Sequence, residues 1–132
     1  MEVEELKAGR ELDALIAEKV MGWQEVRVGV GDDGIEGLMG VPDSPDPWRS
    51  AYWVPAYSID IAHAWQVVEK LRADCVFANI GPDPSEGGGY NCQFHWGEGE
   101  DDFDIGVVDA EAPTAPHAIC LAALKAVGVS HA

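Results

Sequence analysis

With 132 residues, close to half of them apolar, the chain is one domain's worth and carries enough apolar material for a core without disulfides or metal. Eight basic residues against 24 acidic ones leave a formal charge of −16, which repels nucleic acid and anionic lipid at long range and argues against both as direct partners. No apolar run approaches the ~18 residues of a membrane span, and the acidic, amphipathic start is unlike a secretory leader.

In chain order, Leu12, Leu15, Ile16 and Val20 recur at helical spacing, so residues 11–20 are expected to form an amphipathic helix, closed by Gly22 and Trp23. Val26, Val28 and Val30 alternate through 24–30 as a strand does. Asp32, Asp33 and Gly34 supply a turn, and 35–41 is the expected returning strand. Residues 42–56 hold four prolines and no periodicity and are expected to be an ordered loop. Ser58 or Asp60 caps a second helix reaching about Ala73, with Ile61, Ala64, Trp65, Val68 and Leu71 as its core stripe.

A strand is expected over 74–80. Tyr90, Cys92, Phe94 and Trp96 alternate with polar residues in the clearest strand of the chain, and Phe103, Ile105 and Val107 mark another. Thr114 caps a last helix that Gly128 stops. This order predicts one α+β domain over 1–132: a largely antiparallel sheet of about four to five strands, sandwiched by three helices in α-β-α layers.

His63 and Trp65 sit two residues apart in the second helix, about 200° round its axis, so they do not face each other. The spacing places Trp65 in the core and His63 at the surface. Cys92 and His95, three apart on one strand, point to opposite faces, and the other histidines lie on separate elements, so no metal site is expected. Glu98, Glu100, Asp101, Asp102 and Asp104 crowd one turn but lack calcium-loop spacing, and read as a solvated acidic surface. No nucleophile elbow, cysteine–histidine pair or phosphate loop is present, and Cys75, Cys92 and Cys120 read as reduced core thiols. An enzyme is not expected, nor a cofactor.

Two features exceed what a plain domain needs. In 47–57, Trp48, Tyr52, Trp53 and Tyr57 surround Arg49, a combination that stacks on planar groups and grips an anion; Arg27 is a further candidate. The last helix is apolar on most sides, with Leu121, Leu124 and Val127 opposite Ile119, Ala122 and Ala123. Such a helix is buried twice, and a homodimer through Leu121, Leu124 and Val127 is the expected second cover.

The segments LDALIAEKVMGW (12–23), YSIDIAHAWQVVEKL (57–71) and TAPHAICLAALKAVG (114–128), in that order, resemble the small phage and prophage proteins of the phage ABA-sandwich domain family. The resemblance spans nearly the whole chain and implies an α/β sandwich of bacteriophage or prophage origin; the expected location is the cytoplasm of the bacterial host. It implies no activity and transfers no site residues. His117 stands where this capping pattern usually has an acid. The functional expectation is a non-enzymatic, homo-oligomeric binding module acting on a host protein or a small anionic, nucleotide-like ligand in a counter-defence role. The alternatives are an acidic nucleic-acid mimic led by Glu98 to Asp104, or a phage assembly protein.

Overall fold

The computed structural model describes residues 6–31, 34–42, 52–72, 76–82, 89–96 and 106–127. Helix α1 (Arg10–Leu15) runs directly into a π-helical segment, Ile16–Val20. There Met21 N–H reaches back five residues to Ile16 O (3.0 Å). The expected stripe is kept, with Leu12, Ile16, Ala17 and Val20 buried. Strands β1 (Gln24–Val30), β2 (Glu36–Val41) and β3 (Tyr52–Trp53) follow, then helix α2 (Ile61–Arg72), strands β4 (Val76–Pro82), β5 (Tyr90–Trp96) and β6 (Gly106–Ala112), and helix α3 (Ala115–Ala126).

The α+β class, the antiparallel pairing and the three helices are as expected, but the strands divide differently. They form two three-stranded sheets, β1-β2-β3 and β4-β5-β6, instead of one sheet of four to five. The extra strand is β3, inside the segment expected to be loop: Trp53 pairs with Met39 and Tyr52 with Gly40. The last strand, as described, takes in Val107 and continues through Asp109 to Ala112, while Phe103 and Ile105 lie outside the described residues.

The core is organised by α3. On one side it packs against β5 and β6, where Cys92, Phe94 and Ala110 are buried; on the other it meets α2 and the π-helical segment. Leu121 and Leu124 are therefore fully buried within the chain, at 1% and 0% exposure. This corrects the expected dimer face: the second cover that α3 requires is intramolecular, and of the three proposed contact residues only Val127, at the helix end, is exposed.

The phase of α2 also differs from expectation. Its buried side is Ala64, Val67, Val68 and Leu71, while Ile61 and Trp65 are 52% and 47% exposed. Both sets satisfy helical spacing, and the buried one leaves the bulky indole out of the contact between α2 and α3. Asp60, not Ser58, caps this helix, its Oδ1 accepting from Ala62 N–H at 2.8 Å.

Ser58 is fully buried and serves another purpose. Its hydroxyl donates to Asp13 Oδ1 (2.6 Å), its backbone N–H donates to the same oxygen (2.8 Å), and its Oγ accepts from Gly9 N–H (2.8 Å). The start of α1 is thereby fastened to the approach to α2. Burial raises the Asp13 carboxyl above its ordinary value, opposed by the two Ser58 hydrogen bonds and by nearby His63. A second tie joins the ends of the domain: His117 Nε2 donates to Leu6 O (2.7 Å), while its backbone N–H is capped by Thr114 Oγ1 (3.4 Å).

Ser58→Ala leaves the Asp13 carboxyl and Gly9 N–H buried and short of partners, so it should cost about 1–3 kcal/mol in urea unfolding. Because the folded Asp13 is raised above its unfolded value, the stability it contributes is full below the unfolded value and is lost as pH rises through the folded one. The stability of the native chain relative to Asp13→Asn should accordingly fall from acid towards neutral pH, measured as unfolding midpoints of the pair across that range.

Candidate functional site

The first sheet reaches the core through its base only. Val26, Val54 and Trp23 pack there, and Val41 is buried, whereas Val28, Val30, Tyr52 and Trp53 are 51%, 64%, 52% and 47% exposed. Its shape is set by a β-bulge in β1: Gln24 pairs with Val41 and Arg27 with Met39, so two residues face Gly40 alone. Glu25 in the bulge has a left-handed backbone (φ 54°), and Arg27 Nη1 donates to its carbonyl at 3.0 Å. Gly40 fits closely beneath the bulge: a Cβ there would lie 3.2 Å from Gln24 O and 3.0 Å from Val26 Cγ2, so a neighbour would have to give by a few tenths of an ångström.

Register aligns Arg27, Met39 and Trp53 in one row across the three strands, on one face. At ~4.8 Å per strand the row spans ~10 Å. Two glycines let its large side chains lie down. A Cβ on Gly37 would fall 2.7 Å from Trp53 Cζ3, and one on Gly29 would overlap the Met39 sulphur, so the indole rests over Gly37 and the thioether over Gly29. The result is a strip of exposed indole and guanidinium with the half-buried Met39 sulphur between them. It offers a planar apolar surface for stacking and, ~10 Å away, a cation with donors beyond the one held by the bulge.

Of the residues singled out in the sequence, the structure thus brings Arg27 and Trp53 to one face. Tyr52, next to Trp53, points to the opposite face, towards Val28 and Leu38. Trp48 and Arg49 lie outside the described residues, as do Glu98, Glu100, Asp101, Asp102 and Asp104.

Elsewhere the chemistry is muted. Burial pushes the Tyr57 hydroxyl up to about 12, against a hydrogen bond with Trp23, and the Cys92 thiol up to about 12; Cys120 is raised further by the same cause. Buried thiols of this kind are inert. The Asp13–Ser58–His63 neighbourhood includes no exposed nucleophile, because the Ser58 hydroxyl is fully buried and already bonded. Among the described residues no three His, Cys, Asp or Glu side chains gather as metal ligands would, and no helix is long and apolar enough to cross a membrane.

A second surface was not singled out in the sequence. The outer face of β4-β5-β6 forms an open groove of about 530 Å³, lined by Asn79, Gly81, Pro82, Asn91, Gln93, Asp109 and Glu111. Its signal was the polar half of the Tyr90–Trp96 alternation, whose outward residues Asn91 and Gln93 sit opposite Glu111 and Asp109 in β6. Amides and carboxylates alone make this groove unsuited to anions.

The description "phage ABA sandwich domain" matches residues 14–124. The chain belongs to that family. Among solved structures, a phage protein from Bacillus cereus ATCC 14579 is similar to this family member at 30% identity and a TM-score of 0.62, over 92% of this chain and 88% of its own. No curated protein matches the chain.

Gly37→Ala should lift the Trp53 indole off the sheet, because the added Cβ meets the far end of that side chain and not backbone. Near-ultraviolet circular dichroism should change in the tryptophan band, while the unfolding free energy moves by less than ~1 kcal/mol, as for a surface rearrangement.

Proposed function

We propose that this phage ABA sandwich protein is a non-enzymatic binding module that acts on a component of the bacterial host through its first sheet. The observation that carries this reading is the Arg27–Met39–Trp53 row, an aromatic and cationic strip held exposed on a chain of net charge −16. The ligand class that fits is a planar anion of nucleotide type: a base stacked on Trp53, with a phosphate taken by the Arg27 guanidinium. Sequestering such a small molecule is a counter-defence role suited to a small phage-borne domain. The buried hydroxyl of Ser58 and the raised thiols support binding without turnover.

The net charge favours one further reading, in which the acidic surface occupies the nucleic-acid channel of a host enzyme. The two readings separate in one titration series. Tryptophan fluorescence against linear and cyclic nucleotides should show saturable quenching, weakened tenfold or more by Arg27→Ala, as expected for a lost charge-assisted hydrogen bond worth about 1.5–3 kcal/mol. A flat response across the panel overturns the ligand reading. Capture of a host nucleic-acid enzyme that falls steeply with salt would then establish mimicry.

A further inference from the structure

We infer that β1 is the self-association edge of this protein, two copies pairing their β1 strands antiparallel about a two-fold axis at Val28. β1 is the outer strand of its sheet, and among the described residues no strand pairs with its free side. Gly31 N–H donates to Ile35 O at 2.9 Å, so by strand alternation Gly29 and Arg27 also turn their backbone groups towards β2, while Val28 and Val30 turn theirs outward. Those outward groups, with side chains 51% and 64% exposed, are a template for another strand.

The sequence of β1, Gln-Glu-Val-Arg-Val-Gly-Val, specifies a second copy as that strand. Centred on Val28, the pairing sets Val26 against the partner's Val30, Val28 against the partner's Val28, and Val30 against the partner's Val26. Cross-strand β-branched pairs of this kind are favourable. On the other face Arg27 falls opposite the partner's Gly29, so the two guanidiniums do not meet directly. The neighbouring registers are worse. Centring on Arg27 sets two guanidiniums opposite each other, and centring on Gly29 leaves Val26 beyond the end of the strand without a partner. β1 is also locally neutral, one glutamate against one arginine, in a chain of −16, so the strongest self-repulsion lies away from the contact.

The pairing places both Arg27 side chains near the axis, on the face that carries each Trp53, and would bring two binding rows together. The inference stands without ligand binding, and its test uses none. In a Cys75→Ser background, Val28→Cys should form an intermolecular disulfide under mild oxidation, since directly opposed Cα atoms of a hydrogen-bonded pair lie ~5.5 Å apart. Val30→Cys, facing Val26 of the other copy, should not. Light scattering should give twice the chain mass for the native protein and the single mass for Val28→Lys, which puts two ammonium groups on the axis at an exposed site. A native protein that remains monomeric at its highest soluble concentration, a Val28→Lys dimer, or cross-linking of Val30→Cys as efficient as that of Val28→Cys would each overturn the pairing.

Discussion

Everything else in this domain is arranged around the burial of α3. Eight of its twelve residues are buried, from Pro116 to Leu124 on nearly every side, which is more apolar surface than one sheet covers. Each buried leucine or isoleucine stabilises the fold by about 1.5–3 kcal/mol only if water is excluded from both flanks. The second sheet covers one flank; α2 and the π-helical segment cover the other. Lys125, the only charged residue of the helix, sits at its C-terminal end, where its ammonium donates to Asp109 O (2.7 Å). The polar ties follow from the same need. Asp13–Ser58 and His117–Leu6 tie the covering segments together across 45 and 111 residues of chain.

That closure leaves the first sheet with little core to rest on. Only its base is buried, and the rest projects with β-branched and aromatic side chains in solvent. The contrast with the second sheet is informative. There the solvent-facing residues are amides and carboxylates, the usual division of a half-buried antiparallel sheet. In the first sheet both faces keep apolar groups, and Gly29 and Gly37 are spent on laying Met39 and Trp53 flat. Side chains left in solvent in this way add little to the stability of the isolated chain.

Much of this was legible in the sequence where two constraints coincided. The Tyr90–Trp96 alternation, the Thr114 cap and the helical stripe at Leu12, Ile16 and Val20 each combine periodicity with a punctuating residue, and each is found as expected. The double burial of α3 was legible too, but not its source, because spacing along one helix says nothing about which chain covers it. Trp65 failed for a related reason: two phases of α2 satisfy the same spacing, and packing against α3 decides between them. β3 was hidden because two residues among prolines carry no period, and only pairing with Met39 and Gly40 makes them a strand. Of the candidate site, Arg27 and Trp53 were found by residue type, but Met39 and the two glycines between them required the register.

The charge of the chain bears on how such a site would work. At physiological ionic strength the screening length is ~8 Å, shorter than the ~10 Å row itself. A ligand approaching Arg27 therefore feels the guanidinium and its near neighbours far more than the distant carboxylates that dominate the total of −16. Long-range repulsion slows the encounter of any anion and turns away long polyanions, whose many charges sample the whole surface. A compact anion meets the arginine at contact distance, where the stacking surface of Trp53 adds an attraction that salt does not screen. The same total charge would thus act as a size filter on the proposed ligands, opposing long polyanions more than a short, flat anion at the first sheet.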